Sequence, residues 1–236
     1  MQSHELQIKR ILFDADDTLW ENNVYYLQAA SDFFDLLSRA GISRSEVEKD
    51  FDKLEIKVVR ERGYGSENFV YILKEIYQKY SSGNGHNIDQ DRFSSIIETF
   101  SNHPKRKPSL FSNVIETMDY LKSGYSLYVL TKGDYEEQSG KIKLSGVCDY
   151  IEDYFVPHEK NDNTYLDLLN RHAWKPEETC MVGNSPKSDI NPALRTGMYA
   201  IHIPYKDTWK LDNEPIDREN ERLIILNAFS DLRNIF

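Results

Sequence analysis

The apolar run Ile11-Leu-Phe13 stops at a pair of acids, Asp14 and Asp16, and that junction constrains the fold more than any other stretch of the chain. With Ile8 before it, the run is too short and too rich in β-formers for a helix, and it predicts a buried strand over 8–13. Two acids at this spacing leave an extended backbone from the same face. Their repulsion calls for a divalent cation or a proton held on one of them. In an open parallel sheet, chemistry collects where strands end. Asp-Asp-Thr is also good turn and capping chemistry, so the pair alone does not separate a reactive site from an ordinary turn.

The rest of the chain supplies the context. Its 236 residues suffice for one large domain or for a core carrying a smaller inserted one. A net charge of −10 argues against a nucleic-acid surface and against an anionic membrane, so a phosphorylated ligand would need a local positive pocket. Cys148 and Cys180 lack metal-ligand spacing. No apolar run approaches the roughly 20 residues that cross a bilayer, and no leader pattern is seen, so a cytoplasmic protein is expected.

Between residues 21 and 104 the apolar spacing is helical throughout. Val24, Leu27, Phe34 and Leu37 mark one helix, stopped at Gly41. Ser45 with Glu48 has capping-box form and would open a second, with Phe51, Leu54 and Val58 inside. Ser66 would cap a third carrying Phe69, Ile72, Leu73 and Ile76, and Phe93, Ile96, Ile97 and Phe100 mark a fourth. Ser81–Asn87 reads as flexible. Pro104-Lys-Arg-Lys-Pro108 reads as a linker. Beyond it strand and helix alternate: strands at 125–130, 154–156, 179–182 and 199–203, an edge strand at 223–226, and helices at 114–121, 134–144, 163–172 and 187–196. Such alternation means βαβ units and a parallel sheet. The expected architecture is therefore α/β, a Rossmann-like parallel sheet core flanked by helices (1–20 and 105–236) with an inserted four-helix cap domain (21–104).

The strand ends carry a set of polar residues. Asp14, Asp16 and Thr18 form D-x-D-x-T after the first strand, and Thr131 closes Val-Leu-Thr. Lys160 lies in His-Glu-Lys-Asn-Asp, and Gly183-Asn184-Ser-Pro-Lys-Ser-Asp189 follows the fourth strand. In this order the chain resembles the haloacid dehalogenase (HAD) superfamily over nearly its whole length, the helical insertion falling where that family's C1 cap belongs. The resemblance implies a phosphatase acting on a small phosphorylated metabolite, with Mg²⁺ held by Asp14, Asp16, Asn184 and Asp189. Asp14 would be the nucleophile, Asp16 the general acid and base, and Lys160 the charge that holds Asp14 and the phosphate. Thr131, Lys132 and Lys160 would bind the phosphate. Asn184 departs from the family's usual carboxylate, a neutral amide that still offers a carbonyl oxygen.

The chemistry fits those residue types. A carboxylate can attack phosphorus and split one hard displacement into two easier ones. A second, with a raised pKa, can protonate the leaving oxygen and later activate water. Each residue also has a plain alternative: Thr131 as a strand end, Lys160 as a surface lysine, Asp189 as a helix N-terminal charge. Two other functions stand beside the phosphatase: a 2-haloacid dehalogenase attacking carbon, which needs no second acid and so leaves Asp16 without a task, and an inactive binding module. A cap-borne Schiff-base lysine would come from Lys53, Lys57 or Lys74, all on charged faces. Arg60, Arg62 and Tyr64, in a Gly-punctuated loop of the cap, are candidates for substrate selection. Trp20, Tyr25, Tyr26, Tyr205 and Trp209 would line a leaving-group pocket or serve only as packing. A monomer and a homodimer are equally compatible with the sequence.

Overall fold

The computed structural model describes residues 7–82 and 86–236. These contain one sheet of strands β1 (Arg10–Phe13), β2 (Ser126–Leu130), β3 (Asp153–Phe155), β4 (Thr179–Gly183), β5 (Tyr199–His202) and β6 (Leu223–Ile225). All pairings are parallel and the order is β3-β2-β1-β4-β5-β6, the Rossmann-like arrangement. The helices are α1 (Asn23–Arg39), α2 (Arg44–Arg62), α3 (Ser66–Ser81), α4 (Gln90–Ser101), α5 (Val114–Leu121), α6 (Tyr135–Ser145), α7 (Asp162–Arg171) and α8 (Asn191–Arg195).

Strand β1 is central because it is apolar on both faces. Ile11 and Phe13 join Leu127, Val129, Cys180 and Val182 against Met118 and Leu121 of α5. Leu12 joins Leu130 and Met181 against Tyr165, Leu168 and Leu169 of α7. Alternate residues thus feed opposite layers, as burial of both sheet faces demands. Phe13 is opposite Val129 on one side and Val182 on the other. Asp14 therefore emerges at the point where the strand order reverses, its N–H donating to the Val182 carbonyl at 2.9 Å.

The described chain divides into two compact units: the chain up to Asn23 with Pro108–Lys132 and Ile142–Phe236, and Val24–Lys107 with Gly133–Lys141. The second has its own core, where Phe33, Phe34, Phe51, Phe69, Phe93 and Phe100 from α1 to α4 meet. Residues 133–141, expected with the sheet, group instead with these helices. Glu137 ties the two segments: its Oε2 accepts the Ser66 N–H at 3.0 Å and the Ser66 hydroxyl at 2.7 Å, a carboxylate seated at the start of α3.

Several local expectations are corrected. Ser66 is the first residue of α3 and donates to Glu137 instead of capping the helix. Helix α2 begins at Arg44, after Ser43, and no capping box forms, because Glu48 is taken by the Arg44 guanidinium at 2.7 Å. The helix expected over 187–196 is a π-helical turn, Pro186–Ile190, followed by the short α8, where Pro192 has no N–H to donate. Gly83–Gly85, within the stretch read as flexible, lie outside the described residues.

Candidate active site

The site is assembled at the C-terminal ends of β1, β2 and β4 and just before α7. Asn161 caps α7 by accepting the Thr164 N–H, which leaves Lys160 as the last residue of the preceding loop. From there the buried Lys160 ammonium reaches Asp14 Oδ1 at 2.6 Å, the Leu130 carbonyl at 3.2 Å and Asp189 Oδ1. The other Asp189 oxygen accepts the Ser185 N–H at 2.9 Å. Asp189 lies so close to Gly183 that a Cβ there would meet its Oδ2 at 2.3 Å, so the β4 end requires a glycine for this carboxylate to fit. Tyr165 donates from its hydroxyl to the Ser188 carbonyl at 2.9 Å and steadies the turn that carries Asp189.

On the other side of Asp14, the Thr18 hydroxyl lies 3.0 Å from Asp14 Oδ2 and 3.3 Å from Asn184 Oδ1. Asp16 is held by Trp20, whose indole N–H donates to Asp16 Oδ1 at 2.7 Å. Asp16 and Asp189 therefore both act on Asp14, beside the Lys160 ammonium. Burial, then Asp189, pushes the Asp14 carboxyl up to about 7, Lys160 pulls it back, and Asp16 adds to the rise. Burial opposes the charge on Lys160, yet Asp14 and Asp189 more than offset that and hold its pKa above the usual lysine value.

This donor set suits a hard cation. Its members are carboxylate and amide oxygens, the ligand type that such a cation takes. Among the described residues no three His, Cys, Asp or Glu side chains form a ready metal cage. Asp189, expected among the ligands, has both oxygens engaged by Lys160 and the Ser185 N–H.

The other sequence candidates separate. Thr131 closes β2, buried, with its N–H on the Phe155 carbonyl at 3.1 Å. The ammonium of Lys132, expected to meet phosphate, lies 2.7 Å from Asp212 Oδ1, 2.8 Å from Ser188 Oγ and over the Trp209 ring. Within the helical unit, Arg60 is exposed, the Arg62 guanidinium stacks on Tyr71 at 4.1 Å, and Tyr64 is half-buried. Tyr26 packs edge-on against Phe69 and Phe100, and Tyr25 stacks on His103. Lys53, Lys57 and Lys74 are exposed. Tyr205 packs against Phe111.

Sequence reasoning missed three supports. Trp20, which the sequence offers as pocket lining or packing, holds Asp16 through its indole N–H. Asp17, at a positive φ of 63°, accepts the Asn22 and Asn23 N–H groups at 2.8 and 3.0 Å, fastening the chain as it enters α1. His202 Nε2 donates to the Asn184 main-chain carbonyl at 3.1 Å. The i,i+4 spacing of Asp16 and Trp20 was the only signal available for any of them.

A family model described as haloacid dehalogenase-like hydrolase matches residues 8–197. The chain belongs to the haloacid dehalogenase-like hydrolases. This hydrolase is 28% identical over 211 residues to the glyceraldehyde 3-phosphate phosphatase of Methanocaldococcus jannaschii, covering 85% of this chain and 88% of that one. It is 23% identical over 237 residues to the glyceraldehyde 3-phosphate phosphatase of Methanothermobacter thermautotrophicus, covering 97% and 99%. Among solved structures, a haloacid dehalogenase-like family hydrolase from Xanthomonas campestris superposes with a TM-score of 0.81 at 26% identity, covering 97% of this chain and 96% of that one. Among the described residues no helix is long and apolar enough to cross a membrane.

Proposed function

We propose that this hydrolase is a Mg²⁺-dependent phosphatase that cleaves a small phosphate monoester through a phosphoryl group carried on Asp14. The observation that carries the proposal is the buried Lys160 ammonium joining Asp14 to Asp189 at the switch point of the sheet, with Asp16 held by Trp20 two residues away. Lys160 orients Asp14 and favours its ionised, nucleophilic form. An Asp14 oxygen attacks phosphorus and the P–O bond to the leaving group breaks, Asp16 delivering a proton to the departing oxygen. Asp16, now ionised, takes a proton from water as that water attacks the same phosphorus, which frees inorganic phosphate and restores Asp14. Thr131 and adjacent main-chain N–H groups are the proposed donors to the phosphoryl oxygens. One Asp14 oxygen, the Asp16 main-chain carbonyl and Asn184 Oδ1 would hold Mg²⁺, which supplies neutralisation of the phosphoryl charge. Asp189 is assigned to positioning Lys160.

The names of the two archaeal relatives point to a phosphorylated triose as the first substrate to try. Arg60, Arg62 and Tyr64 remain proposed contacts to the part of the substrate remote from phosphorus. The test is steady-state phosphate release from glyceraldehyde 3-phosphate and a panel of small phosphate esters, with Mg²⁺, with chelator, and with Asp14→Asn. Metal-dependent turnover that vanishes in Asp14→Asn supports the proposal. Halide release from a 2-haloacid without phosphate release would overturn it.

A further inference from the structure

An amide in place of a ligand carboxylate creates a problem of orientation. A carboxylate offers oxygen on either side, whereas Asn184 offers oxygen on one side and NH₂ on the other. Flipped, it would aim N–H donors at a cation. We infer that Thr208 sets this choice and is the positioning residue for Asn184 as a metal ligand, an inference that rests on the Mg²⁺ reading above.

The hydrogen bonds around the amide describe the orientation that this inference needs. The Thr208 hydroxyl donates to the Tyr205 carbonyl at 2.8 Å, which uses its single proton. Only lone pairs then face Asn184, and Asn184 Nδ2 donates to Thr208 Oγ1 at 3.2 Å. Oδ1 is thereby turned toward Thr18 Oγ1, 3.3 Å away, and so to the side of Asp14. The main chain of Asn184 is fixed separately. Its carbonyl can only accept, so His202 Nε2 carries the proton in their 3.1 Å contact. The segment bearing Thr208 is held on both sides: Asn23 Nδ2 donates to the Asp207 carbonyl at 2.6 Å, and Lys132 binds Asp212 at 2.7 Å. Lys132, which the sequence pointed at phosphate, thus helps anchor the loop that aims the amide. Supports of this kind, one bond removed from a metal, typically account for a factor of about 10 to 100 in affinity.

The test is calorimetric titration of the substrate-free protein with Mg²⁺. Thr208→Val removes the hydroxyl and keeps the shape, Thr208→Ser restores the acceptor, and Thr208→Ala stands in should the valine variant fail to fold. The inference expects Mg²⁺ affinity to fall about tenfold in Thr208→Val and to stay within about twofold of the parent in Thr208→Ser. The decisive arm is Asn184→Asp. A carboxylate has no flip to set, so Thr208→Val in that background should leave its affinity within about twofold. Equal Mg²⁺ affinity in the parent and Thr208→Val overturns this inference alone. A tenfold loss that persists in the Asn184→Asp background also overturns it, because Thr208 would then act through the loop and not through the amide. Absence of Mg²⁺ binding by the parent overturns the metal reading itself.

Discussion

Replacing Lys160 by methionine tests the electrostatic frame of the site. The Lys160 side chain is 1% exposed and its ammonium serves Asp14, Asp189 and the Leu130 carbonyl, so Lys160→Met keeps the length of the side chain and strands two buried carboxylates. Removing one partner of a buried ion pair costs about 3–5 kcal/mol. At about 2–4 °C per kcal/mol for a chain of this size, the melting temperature should fall by about 10 °C at pH 8. The pH dependence gives a second handle. Asp14 has a folded pKa raised from the ordinary 3.8 to about 7, so it favours the folded state at low pH and that support is lost as pH rises through about 7. Without Lys160 the rise is larger, and the variant loses more on going from pH 5 to pH 8. Lysine stays charged throughout this window in both states and adds no slope of its own. The gap between parent and variant, from urea denaturation in chelator, should therefore shrink at pH 5 by at least about 1.4 kcal/mol, the equivalent of one pKa unit. A gap under about 1 kcal/mol, or one equal at both pH values, would refute this account of the buried charges.

Four further outcomes follow from the same geometry. Asn184→Asp should tighten Mg²⁺ in a calorimetric titration, and unchanged or weaker affinity counts against Asn184 as a ligand. Gly183→Ala should cost about 1–3 kcal/mol in urea denaturation and lower kcat, because its Cβ would meet Asp189 Oδ2 at 2.3 Å. Asp17→Asn keeps the acceptor for Asn22 and Asn23 and tolerates the positive φ. Because burial and then Asp16 push the Asp17 carboxyl up to about 7, its contribution to folding is present below about pH 4 and lost as pH rises through 7, so the variant's melting temperature should vary less across pH 4–7. Glu137→Ala should destabilise the protein by about 1 kcal/mol by baring the first N–H of α3, measured as a shift in denaturation midpoint.

The sheet and the principal side chains of the site were legible because they depend on local pattern. Each strand is a short apolar run, and Asp14, Thr131 and Asn184 each stand just beyond the end of one, so parallel pairing gathers them, while Lys160 comes in from the loop that leads to α7. What could not be read depends on which way a side chain turns once the chain is folded. Lys132 sits beside Thr131 yet pairs with Asp212, 80 residues on. Glu137 reaches back 71 residues to Ser66, and residues 133–141 group with the helical unit. Glu48, read from the sequence as half of a capping box, pairs with Arg44 instead. The bond between Asn184 and Thr208, 24 residues apart, carried no motif at all.

The central claim is that Asp14 carries the phosphoryl group. Its most direct test is a single turnover with a ³²P-labelled phosphate ester in the presence of Mg²⁺, quenched in acid, reduced with borohydride and mapped by peptide mass spectrometry. The account predicts acid-stable label on the parent protein, conversion of residue 14 to homoserine on reduction, and neither in Asp14→Asn. Phosphate release that proceeds without labelling the protein, and that survives in Asp14→Asn, would contradict it.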